Sequence, residues 1–141
     1  MPTPANRSMR IGALARRTGR SIHTIRWYEA QRLIPGVRRD PQGRRVYIEQ
    51  HVDWLDLLDR LRSTGMTIRE VRDYAVLVRR GEASLRDRQE LLKAHRERVE
   101  ARIVDMTESL ALIDRKIDFY GDWLRTGVQP PVPVARKRRR T

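Results

Sequence analysis

Residues 11–30 read IGALARRTGRSIHTIRWYEA, and this stretch decides the fold. Ile11, Leu14 and Ala15 recur at helical spacing. Thr18-Gly19 ends that short helix, because glycine accepts the left-handed conformation a helix stop often needs. Ser21 is a good N-cap for a second helix running to about Ala30, since its hydroxyl can accept an orphan amide proton. Ile22 and Ile25 fall on one face of this helix and are expected to pack on Leu14. Two short helices joined by a tight turn containing glycine form a helix-turn-helix pattern. At about 100° per residue, Arg20, His23, Thr24 and Trp27 gather on the side away from the isoleucines. In a recognition helix that face meets base edges in a major groove. The competing reading is an ordinary solvated face. Arg26 lies nearer the core side by phase, so it either pairs with Glu29 or reaches a phosphate.

Working outward, Leu33-Ile34-Pro35 closes the second helix and begins an extended segment. Asp40-Pro41-Gln42-Gly43 has the residues of a type I turn in their preferred places. Val37-Arg38-Arg39 and Arg44-Arg45-Val46-Tyr47 flank it, so the segment predicts a β-hairpin with four arginines near its tip. Arginines on such a wing grip phosphates, which positions a protein on a duplex without reading sequence. The charge distribution agrees. Residues 1–48 hold 11 Lys+Arg and 2 Asp+Glu, residues 49–126 hold 15 and 16, and residues 127–141 hold 5 and none. A basic head on a neutral body indicates a defined polyanion-binding module.

Beyond the hairpin, residues 49–64 predict a helix whose stripe is Trp54, Leu55, Leu58 and Leu61, stopped by Gly65. Thr67-Ile68-Arg69-Glu70 has the capping-box pattern and opens a helix to about Arg80, with Val71, Ala75 and Val78 inward. After Gly81-Glu82-Ala83, one helix is expected from Ser84 to about Leu124. Val99, Ile103, Met106, Leu110, Ile113, Ile117, Tyr120 and Leu124 alternate steps of four and three along it, a heptad seam. The chain supplies no second long helix, so the seam calls for another copy; the competing reading is that it packs on the chain's own head, which is too short to cover the whole seam. Heptads alone leave the direction of pairing open. Backward extension places Gln89 and Arg96 in the seam, so its first half is expected to meet the head or line a cavity. Gln129-Pro130-Pro131-Val132-Pro133 cannot continue a helix, and Arg136-Lys137-Arg138-Arg139-Arg140 reads as a disordered basic tail.

Several classes drop out. Without cysteine there is no disulfide, thiol sensor or thiolate metal site. His23, His51 and His95 have no ligand spacing, and His51 reads as a surface residue. No Ser/His/Asp set, carboxylate pair or phosphate-cradling glycine loop indicates an enzyme. RNA binding is the weaker nucleic-acid reading, since paired aromatic strand motifs are missing. The polar N-terminus and the lack of a long apolar run predict a cytoplasmic, nucleoid-associated protein with no membrane partner.

In order and spacing, Ile11 to Ala15, Thr18-Gly19, Ser21 to Glu29, Leu33-Ile34-Pro35, Gly43 to Tyr47 and Leu61 to Val71 resemble the MerR family of bacterial transcription regulators. The resemblance covers residues 9 to about 78. It implies a mainly α fold: a winged helix-turn-helix head (9–80) with a short β-hairpin wing, its helix pair, and a long dimerisation helix (84–125) in an antiparallel coiled coil. Residues 1–8 and the Pro-rich, basic 126–141 are expected to be disordered. The implied function is sequence-specific binding of a near-palindromic promoter operator as a homodimer, with DNA distortion acting indirectly on RNA polymerase. The alternative is an architectural or excisionase-like DNA-bending protein. By position, Arg26, Arg45 and Tyr47 match the family's backbone-contacting arginines and tyrosine, with Arg38, Arg39 and Arg44 beside them. His23 and Thr24 match its base-facing positions. Trp27 replaces the usual aromatic with a donor-only indole, and Arg44 stands where an aromatic is usual. No cofactor is expected. Metal- and thiol-sensing members use cysteine, and the large drug-binding members carry an added effector domain. Phe119, Tyr120 and Trp123 are either packing residues or the wall of a small apolar ligand site.

Overall fold

The computed structural model describes residues 7–132. The order is α1 (Ile11–Thr18), α2 (Ile22–Ala30), β1 (Arg38–Arg39), β2 (Arg45–Val46), α3 (Glu49–Ser63), α4 (Ile68–Arg79), a 3-10 turn (Gly81–Ser84) and α5 (Leu85–Thr126). The fold is mainly helical, with one short hairpin and a long C-terminal helix, as the sequence predicts. Residues 1–6 and 133–141, including the basic run at 136–140, lie outside the described residues.

Local chemistry sets the boundaries. Gly19 ends α1 at φ 69°. Ser21 Oγ accepts the Thr24 N–H at 3.1 Å and starts α2. α2 closes with two overlapping bonds, Leu33 N–H to Tyr28 O and Arg32 N–H to Glu29 O, both 2.9 Å. That closure puts Arg32 at φ 59°, where glycine is usual. Thr67 Oγ1 accepts the Glu70 N–H at 3.1 Å and caps α4. The reciprocal half of the capping box is altered: the Thr67 hydroxyl itself donates to Glu70 Oε1 at 3.1 Å. Glu70 Oε2 is left to accept from Arg98 Nη2 at 2.8 Å.

Residues up to Val99 form one compact unit with two buried clusters. Leu14, Ile25, Ile34, Tyr47 and Leu55 tie α1 and α2 to the wing and α3. Leu33, Leu58, Leu61, Met66, Val71 and Tyr74 join α3 to α4. Tyr28 and Trp54 touch both clusters. The Trp54 ring stacks on Tyr74 at 5.2 Å, and its Nε1–H donates to Leu33 O at 2.7 Å. Each fully buried leucine here contributes about 1.5–3 kcal/mol. Ile22 departs from expectation. It is exposed, whereas Ile25 is the α2 residue fully buried in the cluster with Leu14.

The unit continues into α5 beyond residue 80. Leu91 and Leu92 pack against the α3–α4 cluster, and His95 is buried with Nε2 2.8 Å from Thr64 Oγ1. The first half of α5 therefore meets the head, one of the two readings its polar seam positions left open. The second unit begins at Glu100. Its seam residues Ile103, Met106, Leu110, Ile113, Ile117, Tyr120 and Leu124 are all exposed, Leu124 by 87%. Val99, at the end of the first unit, is half-buried.

Candidate nucleic-acid interface

The wing is built by its turn. Gly43 N–H donates to Asp40 O at 2.9 Å, and Gly43 adopts φ 79°, which a two-strand closure after a type I turn requires. Asp40 Oδ1 accepts the backbone N–H of Gln42 at 3.0 Å and of Arg44 at 2.8 Å. Its Oδ2 pairs with Arg10 at 2.6 Å and Arg44 Nε at 3.3 Å. Burial alone pushes the Asp40 carboxyl up. The Arg44 N–H and the Arg10 guanidinium outweigh it and hold the group below the usual carboxylate range. Asp40 therefore stays ionised and keeps the tip in shape.

Two predicted wing cations are committed elsewhere, and two point outward. Arg44 is tied to Asp40. Arg45 Nη1 pairs with Glu29 Oε2 on α2 and keeps 42% of its side chain exposed. Arg39 donates to the neutral Gly43 carbonyl at 2.7 Å, which leaves its charge uncompensated. Arg38 is exposed and, like Arg26 on α2, has no carboxylate partner among the described residues. The expectation for Arg26 thus resolves away from Glu29.

Tyr47, expected at the phosphate backbone, is fully buried. Its hydroxyl donates to Glu29 Oε1. Burial, reinforced by that bond, pushes the phenol far above its ordinary range and keeps it a donor. The chain is held there on both sides: Met9 and Tyr47 exchange backbone bonds of 2.7 and 2.9 Å.

On α2, His23 and Trp27 are exposed, Trp27 by 43%. Thr24 is half-buried, its hydroxyl 2.9 Å from Ser21 Oγ. Arg20 does not join them. Its side chain is only 8% exposed and forms an ion pair with Asp59 on α3, while Nη1 lies 3.4 Å from Thr18 O. α4 holds the far end of α2: Arg72 donates to Gln31 O at 3.0 Å and to Gln31 Oε1 at 2.9 Å.

Two functional groups escaped the sequence reading. Glu29 joins α2 to the wing. Its inward helical phase was the available signal, as was its being one of only two acids in the first 48 residues. His51 is buried rather than on the surface. Its Nδ1 accepts the Ile48 N–H at 2.9 Å, so Nε2 carries the proton and faces Pro35 O at 3.2 Å. Burial holds this imidazole below its ordinary value, outweighing the Pro35 carbonyl. It pins the wing's exit to the segment leaving α2.

Among the described residues no cluster of His, Asp or Glu is placed to hold a metal ion, and no helix is long and apolar enough to cross a membrane. Residues 9–75 match the sequence profile of the MerR HTH family regulatory proteins, and residues 52–116 match the profile of the MerR DNA-binding region. An uncharacterized HTH-type transcriptional regulator of Haemophilus influenzae is 30% identical over 106 residues, which are 75% of this chain and 78% of that protein. A mercuric resistance operon regulatory protein of Bacillus cereus is 36% identical over 97 residues, 69% of this chain and 74% of that one. Among solved structures, HiNmlR, a MerR family regulator lacking the sensor domain and bound to promoter DNA, aligns with a TM-score of 0.74. The identity is 27%, over 86% of this chain and 96% of that chain.

Proposed function

This chain belongs to the MerR family of helix-turn-helix regulatory proteins, and from that premise we propose that it binds a near-palindromic promoter operator as a homodimer and acts by distorting the DNA. RNA polymerase is then affected through the shape of the promoter. The observation that carries the reading is the outer face of the head. His23 and Trp27 stand exposed on α2, with Arg26, Arg38 and Arg39 unpaired with any carboxylate among the described residues. That division of labour suits DNA: a polar and aromatic helix face for base edges, and cations for phosphates. The solved relative bound to promoter DNA supports the same partner for this chain.

The roles divide as follows. His23, Thr24 and Trp27 read bases. Arg26, Arg38, Arg39 and the outer edge of Arg45 bind phosphates, with Arg44 contributing from the turn. Arg20 and Tyr47 serve by holding α2 against α3 and the wing rather than by touching DNA. The seam from Val99 to Leu124 pairs two copies, antiparallel as in the family, and a two-fold dimer suits a palindromic site. Footprinting on genomic fragments that include the protein's own upstream region, at physiological salt, tests the reading. One discrete protected near-palindrome is expected. Uniform protection of every fragment would replace it with the architectural alternative.

A further inference from the structure

Glu29 is the one acid on the recognition helix, and it is buried beneath the wing rather than displayed beside the bases. Its side chain is only 6% exposed. Each carboxylate oxygen has its own partner: Oε1 accepts from the Tyr47 hydroxyl and Oε2 pairs with Arg45 Nη1. Residues 45 and 47 lie two apart on an extended segment, so both side chains point to the same side, toward α2. Tyr47 is itself fixed in the core, against Leu14, Ile25 and Leu55. Arg45 is different. Its guanidinium is paired on one side, while 42% of the side chain remains in solvent.

We propose that Glu29 is a specificity-determining positioning residue, which locks the wing to the recognition helix and restrains the Arg45 cation that would otherwise bind any phosphate. The inference rests on the head being the DNA-binding module proposed above. Two consequences follow from charge and geometry. A carboxylate facing Arg45 cancels part of that cation's attraction for DNA of every sequence, so sequence-independent affinity is held down. The same contact fixes where the wing grips relative to where His23 and Trp27 read. A duplex whose bases do not match is then not accommodated by a shift of the wing.

Binding of a random-sequence duplex and of the footprinted operator, each measured across a salt series, tests this in the full-length protein. Glu29→Gln keeps the side chain's size and one acceptor for Tyr47 but removes the charge that restrains Arg45. It is expected to bind the random duplex more tightly, and its plot of log affinity against log salt steepens by up to about 0.9 per head. The ratio of operator to random-duplex affinity falls several-fold. In Glu29→Gln combined with Arg45→Ala, the salt slope returns to that of Arg45→Ala alone. A residue that only supports the fold weakens both duplexes and leaves the slope unchanged, and that result overturns the proposal. A double variant that keeps the steeper slope also overturns it, since the gain then does not pass through Arg45. Should Glu29→Gln lose its helical circular dichroism, Glu29→Ala, which also removes the carboxylate facing Arg45, is read by the same criteria. Wild-type protein without salt-dependent binding to either duplex overturns the functional reading itself, a result distinct from an unchanged slope in the variant.

Discussion

Residues 7–99 bury two apolar clusters of their own, whereas residues 100–126 of α5 leave nearly every apolar side chain in water. Both stretches are helical and both carry apolar residues at helical spacing. The difference lies in what each is given to pack against. The head folds α1 to α4 and the start of α5 around Leu33, Leu58 and Met66, so its stability is internal. Among the described residues, the apolar seam side chains from Ile103 to Leu124 are exposed. An exposed apolar stripe of this size is what the proposed pairing of two copies would cover. One stretch packs on itself, and the other carries the exposed stripe that the proposed dimer would bury.

The largest expected effect tests that division at the seam. Leu110→Asp places a charge in the middle of the proposed interface. It is expected to cost about 3–5 kcal/mol, raising the dimer dissociation constant by more than ~100-fold. Sedimentation equilibrium reads the change, and circular dichroism is expected to show the head still folded. Loss of the head's structure in this variant would break the contrast between the two stretches. Leu58→Ala probes the other side. Removing a fully buried leucine from the α3–α4 cluster is expected to cost about 2–5 kcal/mol in denaturant unfolding, with the association state unchanged below the transition.

Smaller effects sharpen the picture of the head. Arg26→Ala and Arg38→Ala each remove a cation without a carboxylate partner, so each is expected to lower the salt slope by about 0.9 per head. Arg45→Ala is expected to lower it less, because Glu29 already offsets that charge. Equal slopes for all three would deny the restraint on Arg45. His23→Ala is expected to leave the slope unchanged and lose about 1 kcal/mol of discrimination at particular bases, read by binding selection from a randomised operator.

The smallest effect is a pH dependence. Burial depresses the His51 imidazole in the folded head, so the unfolded chain binds that proton more readily. The associated stability is present above the ordinary histidine range near 6.5 and is lost as pH falls through it. Thermal unfolding from pH 7.5 down to 5.5 is expected to show this decline, and His51→Gln to flatten it.

Much of this was legible in the sequence because it depends on neighbours along the chain. The Gly19 stop, the Ser21 and Thr67 caps, the Asp40–Gly43 turn and the heptad steps from Val99 to Leu124 each arise within a few residues. What sequence did not reveal depends on partners far away. Arg20 has the helical phase of a base reader, yet Asp59 on α3 draws it inward. Tyr47 matches a surface contact by position, yet its hydroxyl ends on Glu29. His51 is polar by type and buried by its bonds to Ile48 and Pro35. Helical phase tells which way a side chain leaves its own helix, and says nothing of what waits there.

Sedimentation equilibrium of the wild-type protein, without DNA and across micromolar concentrations, tests the central claim most directly. The mass of two chains at every concentration is the predicted result. The mass of one chain throughout would leave the seam from Ile103 to Leu124 without its partner and contradict the two-headed reading of the operator.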